Sequence, residues 1–408
     1  MNRRISDFRR AAIALAMLNA LVSLVLSKQL PEPYMDEVFH VGQFRRTSRW
    51  IRSFLAESLE WDLAITTFPG LYLISSIFPQ DVDLMWLRLI NAVALNSVMF
   101  FLIYKLTRSI STALAVVLMP LNWFFSHLYY TDTVATLSVL VTVYLFETKQ
   151  FTLSGFAGFV SVLMRQTNIV WLFGLSVAHL TQGRKLSWKS VVSRGITDLR
   201  MHALVGLTFI AFYFLNGNSI VLGHHEHHSV SLHTAQVNYA LLTWLGVAGP
   251  SAWSGITQSL IKNARWKALG LVFVIAFLAS ELGTVAHPFI LSDNRHYSFY
   301  FYRYFVATRY IRSLVIPAIV AVTAVHSEIT SISFRCFPTS VLLMCIALCV
   351  IPTPLLEFRY FNVFLSLALA AKRDQGRPLI YLLKNTVLMF VFLYCPFKQG
   401  DQISRFMF

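Results

Sequence analysis

Apolar runs separated by short polar loops recur along the whole chain and limit what it can fold into. The first run covers 11–27. Further runs lie at 82–104, 110–127, 131–147, 151–164, 167–180, 202–222, 237–258, 268–286, 304–325, 338–351, 361–371 and 379–395. A helix needs roughly 20 apolar residues to cross about 30 Å of hydrocarbon, and it satisfies its own backbone hydrogen bonds in lipid. The runs therefore predict an all-α polytopic membrane protein with about 12–14 transmembrane helices, in a single domain over 1–408.

The composition excludes a soluble globular protein. Of the 408 residues, 56% are hydrophobic and 13% are charged, and the mean hydropathy is +0.60. A soluble domain does not need so much apolar surface. The net charge of +15 does not indicate a nucleic-acid partner, because the basic residues lie in short loops rather than on one soluble face. We interpret these residues as topology signals.

The charged loops also predict the orientation in the membrane. Arginines precede the first run, and no small-x-small cleavage pattern follows it at Ser27, so we expect an uncleaved first span with a cytosolic N terminus. Threading the runs alternately from that point gives one side that is basic and has no motif. The opposite, lumenal side receives the loop at Asp36 and the segments 129–132, 165–168, 224–236, 287–300 and 357–360. The candidate site is therefore predicted on the lumenal side.

The first lumenal loop, 29–81, carries two carboxylates and an imidazole directly after the first span. Asp36 and Glu37 are adjacent, and His40 follows four residues after Asp36. Such groups at a membrane surface suit proton transfer. Later in the same loop, Pro69 predicts the start of a new helix.

The segment 44–55 of this loop has the pattern of an interfacial helix. Apolar residues fall on one helical face and arginines on the other. The apolar residues are Phe44, Trp50, Ile51, Phe54 and Leu55, and the arginines are Arg45, Arg46, Arg49 and Arg52. Either the arginines attract a phosphate-bearing lipid, or the helix only braces the loop.

Charged residues at three later span ends have both a structural and a functional interpretation. Asp132 follows two tyrosines just before a span, where it either caps the helix or belongs to the site. Arg165 begins another lumenal loop and either contacts a phosphate or anchors a helix end. Glu357 and Arg359 form either a local ion pair or part of the site.

The densest polar segment after the first loop is 293–297, with the sequence Asp-Asn-Arg-His-Tyr. Arg295 and His296 together can hold a phosphate and stabilise its charge as it leaves. A plain turn would use Asp293 and Asn294 but has no need for the flanking charged and aromatic groups. We therefore favour a functional segment.

Neither the histidines nor the cysteines predict a metal site. Four histidines crowd 224–228, but adjacent histidines in a loop lack three ligands fixed at one site. The four cysteines lie in or beside apolar runs and give neither a disulfide framework nor a metal-ligand spacing. We expect no metal and no cofactor.

Seven motifs, spread in order from the first loop almost to the end, carry a family resemblance. They are Tyr-Met-Asp-Glu-Val-Phe-His at 34–40, Trp-Asp at 61–62, Ile-Thr-Thr-Phe-Pro-Gly-Leu-Tyr at 65–72, Tyr-Tyr-Thr-Asp at 129–132, Arg-Gln-Thr-Asn at 165–168, His-Pro at 287–288 with Asp-Asn-Arg-His-Tyr at 293–297, and Leu-Glu-Phe-Arg-Tyr at 356–360. Together they resemble the dolichyl-phosphate-glucose-dependent alpha-1,2-glucosyltransferase family of the endoplasmic reticulum. The resemblance implies a GT-C-type helix bundle with lumenal loop helices. Gly42 and the pair His224 and His225 depart from the family pattern.

The resemblance also implies an activity, namely addition of the last glucose to the lipid-linked oligosaccharide for N-glycosylation. The donor is dolichyl-phosphate-glucose, and the acceptor is the diglucosylated dolichyl-diphosphate-linked oligosaccharide. Inversion by direct displacement needs one carboxylate base, for which Asp36 is the first candidate and Glu37 the second. The substrate-binding candidates are His40, Trp61, Asp62, Thr66, Thr67, Tyr130, Asp132, Arg165, Gln166, Asn168, His228, Gln236, Asp293, Asn294, Arg295, His296, Tyr297 and Arg359. Of these, the cationic side chains Arg295, His296 and Arg165 would stabilise the leaving phosphate.

Two alternative functions stay open. The chain can transfer another sugar from dolichyl phosphate, since pocket shape decides the sugar. It can also be a transporter or a non-catalytic membrane partner with the same fold. A transporter favours charges at mid-membrane in two repeated halves, whereas most ionisable groups of this chain lie at span ends.

Overall fold

A computed structural model describes residues 2–54, 56, 58–181, 188–223, 232–262, 265–284, 287–326, 333–334, 337–372, 378–399 and 402–408. Within these residues the chain is almost wholly helical, which confirms the predicted all-α class. Its contacts divide it into two compact units. The first unit comprises Met1–His227 and Arg377–Asn385, and the second comprises His228–Gly376 and Thr386–Phe408. The single domain predicted over 1–408 stays a prediction.

The first unit is built of helices joined by short turns. They are α1 (Asn2–Gln29), α2 (Glu37–Arg52), α3 (Gly70–Ser75), α4 (Leu84–Leu89), α5 (Asn96–Thr107), α6 (Ile110–Val117), α7 (Pro120–Ser126), α8 (Thr131–Glu147), α9 (Phe151–Met164), α10 (Asn168–Thr181), α11 (Trp188–Thr197) and α12 (Arg200–Leu215). A π-helical segment, Ile90–Leu95, joins α4 to α5 without a break.

Helix ends in this unit follow from local sequence. Asp83 caps α4 by accepting the N–H of Met85 at 2.7 Å, and Ser109 caps α6 by accepting the N–H of Thr112 at 3.1 Å. Pro120 begins α7 because a proline at the first helical position lacks only an N–H that would have no helical partner. It thereby divides the apolar run 110–127 into two helices.

Polar side chains and one glycine hold the first unit together between its apolar surfaces. Trp123 Nε1 donates to Asn19 Oδ1 at 2.9 Å. In lipid the hydrophobic effect contributes little to the association of helices, so hydrogen bonds of this kind help to hold them together. A Cβ on Gly70 would lie 2.5 Å from the Leu163 carbonyl oxygen, so only glycine allows α3 to lie this close to the end of α9.

The second unit contains helices of very different length and two short hairpins. Its elements are α13 (Ala235–Lys262), α14 (Trp266–Gly283), α15 (Pro288–Ser292), α16 (Tyr297–Phe301), α17 (Ile316–His326), β1 (Ser333–Phe334), β2 (Phe337–Pro338), α18 (Thr339–Val350) and α19 (Asn362–Lys372), followed by β3 (Phe397–Gln399) and β4 (Gln402–Ser404). Helix α20, Pro378–Tyr394, begins in the first unit and ends in the second. Both hairpins are antiparallel. Between α13 and α14, Asn238 Nδ2 donates to the Ala276 carbonyl at 2.8 Å.

The helices confirm a polytopic membrane protein. Within the described residues, Ile5–Gln29, Leu84–Thr107 and Trp266–Gly283 are long and apolar enough to cross a membrane. Two bent pairs, Val191–Thr197 with Arg200–Leu215 and Tyr297–Val306 with Ile311–Val325, raise the number to five if each pair is one span. Other apolar runs fold as helices of 10–17 residues. The count of about 12–14 spans therefore stays a prediction.

Helix α2 differs from the interfacial helix predicted over 44–55. It ends at Arg52, and Phe54 lies beyond its end with 94% of its surface exposed. Its buried face is mostly polar and consists of Glu37, His40, Val41, Gln43, Phe44, Thr47 and Ser48. The apolar pattern misses this face because the polar side chains find hydrogen-bond partners inside the protein.

The arginines of α2 favour the bracing alternative. Arg49 Nε donates to Gln80 Oε1 at 3.1 Å, and Arg52 Nη2 donates to the Ile77 carbonyl at 3.4 Å. Both contacts tie the helix to a later part of the first loop. Leu55, which the pattern also assigned to the apolar face, lies outside the described residues.

Candidate active site

The carboxylates of the first loop follow a sharp turn between α1 and α2. Met35 has a φ of 55°, in the left-handed region that residues other than glycine rarely adopt. The N–H of Asp36 donates to Tyr130 Oη at 3.1 Å, and the N–H of Glu37 donates to the Tyr34 carbonyl at 3.1 Å. Backbone strain persists only where the surroundings hold it. The turn therefore presents Asp36, which is half-buried, at a fixed position.

Glu37 forms a fully buried ion pair with Arg88. Arg88 Nε donates to Oε1 at 2.9 Å and Nη2 donates to Oε2 at 2.5 Å, and neither side chain is exposed. The carboxylate also accepts the N–H of Tyr129 at 2.7 Å and that of Tyr34 at 3.0 Å. The arginine further donates to two carbonyl groups of the segment that follows α1. The pair thus joins the turn, α4 and the segment before α8.

Glu37 as the second candidate base stays a prediction, and its hydrogen bonds leave little room for a further partner. Each of its oxygens already accepts two hydrogen bonds, one of them from a guanidinium group. An acceptor hydroxyl would have to compete with these donors for either oxygen. The same contacts fix the backbone of the turn that carries the neighbouring Asp36.

His40 and Tyr72 lie against each other beside this turn. His40 Nδ1 lies 2.6 Å from Tyr72 Oη, and the Tyr130 ring meets the His40 ring edge-on at 5.5 Å. Burial raises the pKa of Tyr72 well above its usual value, and the nearby Tyr129, Asp36 and Asp62 act in the same direction. The phenol therefore stays protonated and available as a hydrogen-bond donor.

The predicted pair Trp61 and Asp62 lies against the same tyrosine. The Trp61 ring meets Tyr72 edge-on at 5.7 Å, and its Nε1 donates to the Ile65 carbonyl at 3.1 Å. Asp62 pairs with Arg46 of α2 at 3.2 Å, and its N–H donates to Gln43 Oε1 at 2.9 Å. The structure thus gathers Asp36, His40, Trp61, Asp62 and Tyr130 around Tyr72.

The segment that contains Thr66 and Thr67 is held in place by the motif at 165–168. The Thr66 carbonyl accepts from Gln166 Nε2 at 2.5 Å and from the N–H of Leu222 at 3.2 Å. The next residue, Gly223, has a φ of 71° and lies against the Leu63 carbonyl, where a Cβ would collide. The amide of Asn168 is also used internally, since it donates to the Ser161 carbonyl at 3.0 Å. The Thr66 and Thr67 side chains are half-buried.

Asp132 and Arg165 form an ion pair, and the place of Asp132 in the site stays a prediction. Helix α8 begins at Thr131 with Tyr130 as its N-cap, so Asp132 lies in the first turn and does not cap. Arg165 Nη1 donates to Asp132 Oδ1 at 2.9 Å, and the two side chains are 16% and 0% exposed. Oδ2 of Asp132 is buried without a hydrogen-bond partner among the described residues. Arg165 anchors the end of α9 through this pair.

In the second unit, Asp293 and Arg295 form a two-pronged ion pair at the turn before α16. Arg295 Nε donates to Oδ1 at 2.8 Å and Nη2 donates to Oδ2 at 2.7 Å. Burial raises the pKa of Asp293, but the hydrogen bonds and charges of Arg295 and His296 outweigh it, so the pKa is lowered overall. The side chains of Arg295 and His296 are 30% and 20% exposed. Asn294 and Tyr297 complete the segment, and α16 begins at Tyr297.

Gln236 lines a small cleft of the second unit. Its Nε2 donates to the Leu355 carbonyl at 3.1 Å. The cleft is lined by His233, Gln236, Tyr239, Gly283, Thr284, Tyr302, Val306 and Leu356. Arg359 forms the predicted local ion pair with Glu357 in the segment that follows.

His228 and the other histidines of 224–228 lie outside the described residues. Among the residues that are described, no group of three or more His, Cys, Asp and Glu side chains has the arrangement of a metal site. The expected absence of a metal stays a prediction.

Two residues of this site, Arg88 and Tyr72, are absent from the sequence-based prediction. Arg88 left one signal, which is a charge inside the apolar run 82–104. Such a charge normally has a buried partner. Tyr72 ends the motif at 65–72 but looks like one more aromatic residue of an apolar segment. Its position against His40 depends on the packing of α3 on α2, which sequence spacing does not give.

Comparison with known proteins assigns the chain to a family. The family model described as DIE2/ALG10 family matches residues 30–193 and 179–368. Three curated relatives share the name Dol-P-Glc:Glc(2)Man(9)GlcNAc(2)-PP-Dol alpha-1,2-glucosyltransferase. No solved structure gave a significant match.

The alignments cover most of each relative and most of this chain. The human protein is 28% identical over 473 residues, with 98% of each chain covered. The Arabidopsis thaliana protein is 27% identical over 514 residues, with 97% of this chain and 99% of the relative covered. The Drosophila melanogaster protein is 30% identical over 337 residues, with 69% and 73% covered. These matches confirm the resemblance predicted from the motifs, and the chain belongs to the DIE2/ALG10 family.

Proposed function

We propose that this chain is a glucosyltransferase of the endoplasmic reticulum membrane with a lumenal active site. It transfers glucose from dolichyl-phosphate-glucose to the diglucosylated, dolichyl-diphosphate-linked oligosaccharide and forms the terminal alpha-1,2 linkage for N-glycosylation. Membership of the DIE2/ALG10 family and the names of the full-length relatives support this activity. The observation that carries the proposal is the half-buried Asp36 held beside the buried pair of Glu37 and Arg88.

The reaction is a single displacement with inversion. The acceptor 2-hydroxyl attacks the anomeric carbon of glucose, and the bond from that carbon to the phosphate oxygen breaks, leaving its electron pair on the phosphate. The hydroxyl proton passes to Asp36, and dolichyl phosphate leaves. A positioned base contributes about a hundredfold to ten-thousandfold to such a step.

Glu37 positions the base, and the groups around Tyr72 orient the sugar. The buried pair of Glu37 and Arg88 fixes the turn, so the Asp36 carboxylate does not have to be ordered in each catalytic cycle. His40, Trp61 and Asp62 offer an imidazole, an aromatic edge and a carboxylate beside it. Polar side chains in fixed positions orient a ligand and discriminate between hydroxyl groups.

Cationic side chains stabilise the phosphate that leaves. Arg295 and His296 provide this charge in the second unit, and their partial exposure leaves them accessible to an anion. A monophosphate needs less neutralising charge than a diphosphate, so we propose that no metal ion takes part. Transfer that is unaffected by a metal chelator is the expected result.

The experiment is glucose transfer by the purified chain in lipid nanodiscs. Dolichyl-phosphate-glucose and the diglucosylated acceptor should give a product heavier by one hexose that an alpha-1,2-specific glucosidase removes. Asp36→Asn should lower the turnover by about a hundredfold to ten-thousandfold with an unchanged melting temperature, since amide and carboxylate have the same shape. Undiminished transfer by this variant would remove Asp36 as the base.

Parallel assays separate the alternative functions. Other dolichyl-phosphate sugars are supplied one at a time, and a preference for a different sugar would replace the donor that we propose. A labelled solute enclosed in vesicles tests transport. Movement of solute without any sugar transfer would reject the enzyme.

A further inference from the structure

The final described segment, 405–408, packs on the turn that carries Arg295 and His296. The N–H of Met407 donates to the Arg295 carbonyl at 2.9 Å, and the N–H of Tyr297 donates to the Met407 carbonyl at 2.8 Å. His296 and Met407 thereby form a parallel bridge. One residue of the segment thus holds the backbone on both sides of His296.

Independent contacts anchor this segment. The Phe408 ring meets the Tyr297 ring edge-on at 5.4 Å, and the Phe406 ring stacks on Phe397 of β3 at 4.4 Å. Arg405 Nη1 donates to two carbonyl groups near the end of α20, at 3.0 and 2.5 Å. The segment therefore has a defined place in the second unit, and its contacts with the turn do not depend on one hydrogen bond.

The segment also fixes which nitrogen of His296 carries a proton. Nδ1 lies 2.8 Å from the backbone oxygen of Phe408. This oxygen can only accept a hydrogen bond, so Nδ1 must donate. The other nitrogen, Nε2, lies 3.8 Å from Asp293 Oδ2, on the side of the ion pair with Arg295. Nε2 can donate to an anion beside Arg295 only in the imidazolium form, in which both ring nitrogens carry a proton.

We propose that residues 405–408 are positioning residues, which hold Arg295 and His296 in the geometry that binds the phosphate of the dolichyl lipid. This proposal rests on the proposed function, in which that pair stabilises the leaving phosphate. The segment lies outside the residues 30–193 and 179–368 that the family model matches. The phosphate-binding turn thus depends on a part of the chain that the family pattern does not specify.

A proline substitution tests the backbone contact. Met407→Pro keeps the carbonyl that accepts from Tyr297 but removes the N–H that donates to Arg295. Ile403→Ala is the matched control, because Ile403 lies in the preceding strand β4 with 70% of its surface exposed. The probe is dolichyl phosphate binding to the full chain in nanodiscs, with dolichol as the lipid without phosphate.

We expect Met407→Pro to weaken dolichyl phosphate binding about tenfold, the effect of roughly one hydrogen bond. Dolichol binding and the control variant should be unaffected. In the transfer assay, kcat/KM for the donor should fall by at least a similar factor, because the same pair binds the phosphate and stabilises it as it leaves. A merely structural role would instead lower the folded fraction. Unchanged phosphate binding by Met407→Pro overturns the proposal.

A second measurement needs no variant. Hydrogen exchange of the unmodified protein is followed in the peptides that contain 293–301 and 402–408, with and without dolichyl phosphate. Bound lipid should slow exchange in both, because the segments are joined by backbone hydrogen bonds. Slower exchange at 293–301 with no change at 402–408 overturns the positioning role.

The two proposals fail in different ways. Absence of any glucose transfer, together with weaker dolichyl phosphate binding by Met407→Pro, rejects the proposed activity and supports the positioning role. Glucose transfer with normal kcat/KM for the donor and normal lipid binding in Met407→Pro supports the activity and rejects the positioning role.

Discussion

The two units each contain a carboxylate paired with an arginine, but the pairs differ in depth and in sequence separation. Glu37 and Arg88 are 51 residues apart and neither side chain is exposed. Asp293 and Arg295 are two residues apart, and their side chains are 20% and 30% exposed. The first pair is enclosed by protein donors and acceptors. The second keeps one side open.

The difference separates structural charges from charges that a substrate can use. A buried pair is costly to desolvate, so it is retained only with many hydrogen bonds, and its charge is then compensated within the protein. A partly exposed pair contributes little to stability but remains accessible. Asp132 and Arg165, at 0% and 16% exposure, lie between the two. Activity should therefore depend directly on the exposed pair and indirectly on the buried one.

The largest expected effect is on the buried pair. Arg88→Ala leaves the Glu37 carboxylate buried without its partner and should lower the free energy of unfolding by about 3–5 kcal/mol. Thermal melting of the purified protein in detergent measures this. A melting temperature equal to that of the wild type would show that the pair is not structural.

A double variant sharpens the test. Glu37→Leu combined with Arg88→Met removes both charges, and replacing a buried pair by apolar side chains is often nearly neutral. The double variant should therefore melt well above Arg88→Ala. Glucose transfer should stay low, because the turn that presents Asp36 has lost its hydrogen bonds to Tyr129 and Tyr34.

The second effect, of intermediate size, is on Asp132 and Arg165. Arg165→Ala leaves a buried carboxylate whose Oδ2 already has no hydrogen-bond partner among the described residues, so we expect a loss of about 2 kcal/mol. Adding Asp132→Asn removes the unpaired charge and should recover part of the loss. If Asp132→Asn lowers the melting temperature further, the unpaired carboxylate is not the cause of the stability loss in Arg165→Ala.

Sequence reasoning predicted the apolar architecture well, because span length and proline breaks are local properties. The run 338–351 became α18, Thr339–Val350, and the run 361–371 became α19, Asn362–Lys372. Pro69 begins α3 as predicted, since it is the N-cap of that helix. The family motifs likewise marked the first loop and the segment at 293–297.

What the sequence did not predict depends on contacts between distant segments. Arg88 reaches Glu37 across 51 positions, and Met407 reaches Arg295 from the other end of the second unit. Neither contact has a periodicity or spacing that indicates it. The two adjacent carboxylates Asp36 and Glu37 are both candidate bases in the sequence, which does not indicate that Glu37 is fully buried while Asp36 is only half-buried.

The third prediction concerns the exposed pair, where stability and ligand binding should separate. Arg295→Ala should change the free energy of unfolding by no more than about 1 kcal/mol, because the pair is partly solvated. Dolichyl phosphate binding should nevertheless fall by about tenfold or more, since charge-assisted hydrogen bonds to the phosphate are lost. Arg295→Lys keeps the charge without the two-pronged geometry and should lie between. A large loss of stability in Arg295→Ala would show that this ion pair, like the buried pair, stabilises the fold.

The smallest effect is a pH dependence at Asp293. Its pKa is lowered in the folded protein because the hydrogen bonds and charges of Arg295 and His296 outweigh the opposing effect of burial. A lowered pKa adds stability that is present above the unfolded-state pKa of about 4 and is lost as the pH falls through the folded-state pKa. The melting temperatures of the wild type and Asp293→Asn should therefore differ most at neutral pH and converge below about pH 4. Asp81→Asn, at an exposed position of the first loop, controls for the change in net charge. If the melting temperature of the wild type exceeds that of Asp293→Asn by the same amount at pH 3, the ionised carboxylate of Asp293 does not stabilise the turn. The exposed and buried ion pairs would then differ in more than their burial.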